Sequence, residues 1–143
     1  MKQLPFLLMI LVLSLFLQGC FTVQSTAKFS YKKLDPETYA AYLRDSADHY
    51  LIDVRTPGEN KKAHIAGARN YDFLAFHFGT DVDTLDRNKV AFLYCQTCHR
   101  SPFAARIMKH KGFRAVYDLR GGFAKWVKAN QKTETLMDNN SKQ

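Results

Sequence analysis

The run Phe92-Leu93-Tyr94-Cys95-Gln96-Thr97-Cys98-His99-Arg100-Ser101-Pro102 concentrates the chemistry of this 143-residue chain. Val90 to Tyr94 is short, apolar and rich in β-formers, as a buried strand is. Ser101-Pro102 opens a helical pattern, with proline suited to the first helical turn. Between strand and helix lies a short loop that begins with Cys95 and ends with Arg100. Such a loop turns backbone N–H groups inward and sits at the positive end of a helix dipole. A cysteine at its mouth sheds its proton readily and acts as a nucleophile. The same residue types also allow a plain buried thiol with an unrelated arginine nearby.

Cys98 adds a second chemistry. Cys95 and Cys98 form a Cys-x-x-Cys pair at a helix start, an arrangement suited to thiol–disulfide exchange. Cys95 to His99 also spells Cys-x-x-Cys-His, the attachment signal of a c-type haem. A zinc site would need a second ligand pair, and none has the required spacing.

The elements around the loop must hold it. Asp35-Pro36-Glu37 reads as a helix start with an aspartate cap, for a helix running to about Asp45 with Tyr39, Tyr42 and Leu43 on one side. Tyr50 to Val54 reads as a buried strand, Pro57 to Lys62 as a helical turn and Ala68 to Tyr71 as a short strand. Phe73 to Phe78 is expected to be helical and Asp81 to Asn88 a polar loop. Pro102 to Lys111 continues as a helix with Phe103, Ile107 and Met108 inward, ended by Gly112. Ala115 to Leu119 is the last strand and Phe123 to Ala129 the last helix. Beyond Asn130 the chain is polar and expected to fray. Strands alternating with helices predict an α/β fold, with a mostly parallel central sheet and helices on both faces. In such sheets sites lie at the carboxyl ends of strands, where Cys95 falls.

Four blocks are then in register. Leu51-Ile52-Asp53-Val54-Arg55 and His64-Ile65-Ala66-Gly67-Ala68-Arg69-Asn70 precede the cysteine loop, and Gly121-Gly122-Phe123-Ala124-Lys125-Trp126 follows it. In order and spacing the chain resembles a single-domain rhodanese over roughly residues 29 to 130. The resemblance implies a rhodanese-like sulfurtransferase of the thiosulfate:acceptor type, with Cys95 as the persulfide-forming nucleophile. It implies Gln96, Thr97, Cys98, His99 and Ser101 as the loop that cradles the persulfide. It places Arg100 in the active site, where it either binds the anionic donor or bonds a carboxylate to hold the loop. Asp53 and Arg55 are expected to brace that loop, His64 to be structural and Trp126 to pack the last helix. Phosphatase and arsenate-reductase loops of the same fold are one residue longer, so this loop favours sulfur transfer. Many rhodaneses carry glycine where this chain has Cys98, and glycine tolerates a backbone that cysteine does not. Gly121-Gly122 suits a tight turn close to the loop. A haem would have to interrupt that loop, so no cofactor and no metal is expected. The expected partners are a small anionic sulfur donor such as thiosulfate and a thiol or cyanide acceptor. The alternatives are a thiol–disulfide or persulfide-reductase module built on Cys95 and Cys98, with Cys98 as redox partner, and a non-catalytic domain that binds a protein partner, whose identity is unknown from sequence.

The ends carry a different message. Lys2 followed by the apolar run Pro5 to Leu17 has the form of a secretory signal. Leu17-Gln18-Gly19-Cys20 resembles a bacterial lipobox, which implies cleavage before Cys20 and lipid on its thiol. The expected organisation is a lipoprotein-type signal peptide over 1–19, a tether over 20–28, the domain over 29–130 and a polar tail over 131–143. A retained membrane helix is the alternative. Either way the domain faces away from the cytoplasm on a bacterial membrane, the outer one favoured where the cell has two, since Phe21 rather than aspartate follows Cys20. Hydrophobic residues make up 46% of the chain and aromatic residues 13%, which excludes a wholly disordered chain. The formal net charge of +8 suits anionic lipid and small anions. No arginine-rich stripe with interleaved aromatics appears, so nucleic acid is not expected.

Overall fold

The computed structural model describes residues 28–135. The expected signal peptide, Cys20 and nearly all of the expected tether fall outside the described residues, as does the expected tail beyond residue 135. In chain order the elements are β1 (Ser30–Leu34), α1 (Pro36–Asp45), β2 (His49–Asp53), α2 (Pro57–Lys62), β3 (His64–Ile65), β4 (Arg69–Asn70), α3 (Phe78–Asp81), a 3-10 turn (Val82–Thr84), β5 (Val90–Tyr94), α4 (Ser101–His110), β6 (Ala115–Leu119), α5 (Gly122–Lys128) and β7 (Thr133–Glu134).

Five of the strands form one parallel sheet in the order β1-β6-β5-β2-β4. The most apolar strand, β5, lies at its centre, with Ala91 to Tyr94 buried. Register aligns Asp53 with Tyr94 on one side of β5 and Leu93 with Asp118 on the other. The loops leaving β2, β5 and β6 therefore emerge together at one edge, where an open α/β sheet builds its sites.

Side-chain alternation splits the core in two. On one face Ile52, Val54, Leu93 and Val116 pack with Ala104, Ala105 and Met108 of α4 and with Phe78 and Val82. On the other, Leu51, Phe92, Tyr94 and Leu119 pack with Tyr39 of α1 and with Phe123 and Trp126 of α5. Each face thus sequesters its own apolar stripe, and burial at ~25 cal/mol per Å² makes both layers stabilising.

Several expectations need correction. Phe73 to His77 form turns, because the Asp72 carboxylate accepts from the Leu74 N–H at 2.9 Å and satisfies the backbone locally. The helix starts only at Phe78. The stretch expected as a polar loop from Asp81 holds a 3-10 turn whose Val82 enters the core, as does Leu85 beyond it. Asp35 makes no side-chain cap to α1; its carboxylate faces Lys125 and Arg120 instead. Phe103 is exposed and stacks on Phe73, while the small residues Ala104 and Ala105 take the inward face of α4. The chain does not fray at Asn130: Thr133 and Glu134 pair antiparallel with Ile65 and His64. The Trp126 indole donates to the Lys132 carbonyl at 2.9 Å and holds that return.

Candidate active site

The loop from Cys95 to Arg100 starts where β5 ends and runs into the ten-residue helix α4. Cys95 is buried, with its Sγ inside the loop. The Cys98 N–H donates to that sulfur at 2.9 Å. The Ser101 hydroxyl, buried in the first turn of α4, lies 3.5 Å from it. Both contacts suit a negatively charged sulfur, and so does the dipole of α4 behind them. Closing the loop this tightly drives Cys98 to φ 79°, the left-handed region that favours glycine. The one departure from the rhodanese pattern therefore sits at a position whose backbone glycine would suit best.

The other loop residues divide by exposure. Thr97 and His99 face solvent, and the Thr97 hydroxyl pairs with the His99 ring at 3.0 Å. Gln96 turns the other way, and its side-chain carbonyl accepts from Arg55 at 3.2 Å. Arg55 is a fully buried cation. Its guanidinium bonds both oxygens of Asp53, at 2.7 to 3.1 Å, and donates to the Ala63 carbonyl at 2.7 Å. Its face lies 4.0 Å from the centre of the Phe123 ring. Asn60 donates to the same Asp53 oxygen at 2.9 Å. A buried charge is tolerated only when paired and bonded in this way, and the planar arginine fork suits it better than lysine would. Among the described residues neither Asp53 nor Arg55 hydrogen-bonds the Cys95 thiol; Arg55, fixed by Asp53, holds Gln96 and with it the entry to the loop.

Arg100 closes the far end. Its two terminal nitrogens each donate to one Glu59 oxygen at 2.8 Å. Those bonds hold the Glu59 carboxyl down to about 2, against the opposing effect of burial. Glu59 is itself fixed by a capping box with Thr56 at the start of α2. Of the two jobs the sequence allows Arg100, the structure displays the loop-bracing one.

Gly121 and Gly122, at φ 78° and 62°, bring the start of α5 against the loop. The Phe123 and Ala124 N–H groups donate to the carbonyls of Cys95 and Gln96 at 2.8 and 3.0 Å. With those oxygens held outward, the loop's own N–H groups are free to face the sulfur. Beside Gln96 lies a cleft of about 290 Å³ lined by Arg55, Glu59, Lys62, Ala63, Gln96 and Phe123. His64 stays structural, its ring facing the Asn60 carbonyl at 3.1 Å.

Sequence reasoning missed Glu59, Asn60, Tyr31 and Asp118. Thr56-x-x-Glu59 is a legible capping box, but its second duty toward Arg100 depends on tertiary approach. Asp118 had a signal: a lone carboxylate inside the apolar strand Ala115 to Leu119.

The profile of the rhodanese-like domain matches residues 35–129. The uncharacterized protein YqhL of Bacillus subtilis is 34% identical over 113 residues, covering 76% of this chain and 86% of its own length. The thiosulfate sulfurtransferase GlpE of Stutzerimonas stutzeri is 31% identical over 97 residues, covering 67% of this chain and 84% of its own. The solved rhodanese-like domain of the Alr3790 protein from Anabaena sp. shares the fold, with a TM-score of 0.66 at 19% identity over 78% of this chain and 84% of that one. A parallel α/β sheet delivering a cysteine loop, matched over most of the domain by that profile, makes this chain a member of the rhodanese-like domain family.

Proposed function

We propose that the chain is a sulfurtransferase that carries sulfane sulfur as a persulfide on Cys95. The Cys95 thiolate attacks the outer sulfur of a donor such as thiosulfate. A sulfur–sulfur bond forms, and sulfite leaves with the electron pair of the bond that breaks. A thiolate or cyanide then attacks the terminal sulfur, departs as a persulfide or thiocyanate, and returns Cys95 to the thiolate. The observation that carries this reading is the Cys98 N–H set 2.9 Å from the Cys95 sulfur in a loop closed by Arg100 and Glu59. Preorganised donors of this kind are typically worth ~3 kcal/mol of barrier each where charge develops. Lys62, beside Arg55 in the cleft next to Gln96, offers a cation to an arriving anion. In the test, thiocyanate formed from thiosulfate and cyanide is measured. Cys95→Ala abolishes it and Cys98→Ala does not; full activity in Cys95→Ala overturns the reading.

A second reading rests on two free cysteines in one loop, Cys95 buried and Cys98 partly exposed. Attack of the Cys98 thiolate on a Cys95 persulfide would release sulfide and leave a disulfide. Mass after incubation with thiosulfate separates the two: a gain of one sulfur marks transfer, and a loss of two hydrogens marks the redox module.

We further infer from Leu17-Gln18-Gly19-Cys20 that the domain is held outside the cytoplasm by lipid on Cys20. Cys20→Ser with fatty-acid labelling tests it. Loss of label and of membrane sedimentation is the expected result, and unchanged labelling overturns it.

A further inference from the structure

Four of the six large apolar side chains exposed among the described residues, Tyr31, Leu74, Phe76 and Phe103, lie on or beside the outer face of α4. The mechanism above uses none of them. Phe76 is fully exposed, and Leu74 and Phe103 are 58% and 57% exposed. Phe103 stacks on Phe73 with ring centres 6.5 Å apart, which sets the turn holding Leu74 and Phe76 against the first turn of α4. On the other flank runs a groove of about 440 Å³, lined by Phe29, Tyr31, Pro102, Arg106, Lys109 and His110. Helical spacing puts Arg106 and His110 one above the other, between the two apolar flanks.

The charge on this face has one sign. No acidic residue occurs in α4. Among the described residues neither Arg106 nor Lys109 is ion-paired, and the Lys109 ammonium lies over the Phe29 ring at 5.7 Å. The carboxylates that follow the Phe73–His77 turn are already engaged, Asp81 by His77 and Asp83 by Lys111, each at 2.6 Å. The opposite side of the sheet differs. There α1 brings Glu37 and Asp45, and Lys125 of α5 is taken by Asp35.

We propose that the α4 face docks on an anionic lipid bilayer. Phe76, Leu74 and Phe103 enter the interfacial layer, while Arg106 and Lys109 reach lipid phosphates with their apolar stems laid along the aromatic rings. The course of the chain favours a bilayer over a protein partner. The first described residue is Lys28, and Phe29 beside it lines the groove, so the N-terminal segment joins the domain at this face. Residues 20–28 reach at most roughly 30 Å when fully extended. An anchor at their far end keeps the face near the bilayer, where a weak contact becomes an intramolecular one. Pro102 and Phe103 directly follow the cysteine loop, so docking holds the site at the level of the headgroups. This part of the argument rests on the N-terminal anchoring inferred above, by lipid or by a retained helix.

The test uses the full-length protein in excess vesicles of phosphatidylcholine and phosphatidylglycerol with brominated acyl chains. An indole is placed on the face by Phe76→Trp or Phe103→Trp, and on the opposite side by Val127→Trp. The native Trp126 is buried and supplies a constant background. Bromine should quench the first two indoles and spare the third. Each cation near an anionic surface is worth about fivefold in the docking equilibrium, so Arg106→Gln with Lys109→Gln should lower it about thirtyfold and abolish quenching. Vesicles of phosphatidylcholine alone should do the same to the protein with both cations intact. Equal quenching at position 127, none at 76 and 103, or quenching indifferent to lipid charge overturns the proposal. So does a blue shift at 76 or 103 without lipid, accompanied by a doubled mass, because a second copy then covers the face. Fatty-acid labelling reads on the anchor and thiocyanate formation on the chemistry, so each reading fails by its own measurement.

Discussion

Gly122→Ala tests whether the closeness of α5 to the cysteine loop is what holds the site. A Cβ at Gly122 would fall on the Cys95 carbonyl oxygen and within 2.7 Å of the Gln96 carbonyl carbon and oxygen. Those are backbone atoms and cannot swing aside. Alanine at φ 62° alone costs about 1–2 kcal/mol. Relieving the overlap lengthens the bonds from Phe123 and Ala124 to the two carbonyls, each worth about 1 kcal/mol net. The sum is about 3–4 kcal/mol, or a fall in melting temperature of roughly 15 °C or more for a domain this small. Gly67→Ala is the control, because Gly67 also has positive φ, 78°, but a Cβ there meets nothing within 4 Å. It should lose only the conformational share, about 1–2 kcal/mol. Thermal and urea unfolding of the two variants beside the wild type decide the matter. Equal losses would refute the argument, since strain alone would then account for Gly122 and the contact with the loop would be energetically empty.

Glu59→Gln keeps the capping box but removes the charge facing Arg100, and it should cost about 1–2 kcal/mol for this partly exposed pair. The Glu59 carboxyl is depressed on folding, so its contribution is complete above the ordinary value of 4.5 and fades as pH falls toward about 2. The stability gap between wild type and Glu59→Gln should therefore be flat from pH 5 to 7 and close below pH 4.5; a gap that widens on acidification contradicts the pairing. Cys98→Gly should raise the melting temperature by a few degrees, because relief of positive-φ strain, about 1–2 kcal/mol, exceeds the flexibility cost of glycine, about 0.5–1 kcal/mol. It should also raise thiosulfate turnover, whereas Cys98→Ser keeps the strain and changes neither; identical behaviour of the two variants would remove strain as the explanation.

The local chemistry was legible because it is written in contiguous residues. Val90 to Tyr94 followed by Cys95 and then Ser101-Pro102 declares strand, loop and helix by apolar run and proline placement. The mostly parallel sheet followed from alternation of such units. Glycine pairs and the out-of-place Cys98 pointed to tight backbone, and the positive φ values at all three are where that pressure acts. Short-range pattern failed wherever a long-range partner outbid it. Asp35, a natural helix cap by sequence, turns to Lys125 ninety positions away. Phe103 stays exposed because α4 must bring Ala104 and Ala105 close to the sheet. The β1 and β7 strands were invisible, since each is polar and exists only through pairing with β6 or β3. The same limit governs the site. Sequence alone determined the strand that ends before Cys95, the loop that Cys95 opens and the helix behind it, all set within a few residues. Only tertiary structure decided that Arg100 meets Glu59 across 41 positions and that the Tyr31 hydroxyl meets Asp118 across 87, because a charge takes its partner from whatever the packed sheet brings within 3 Å.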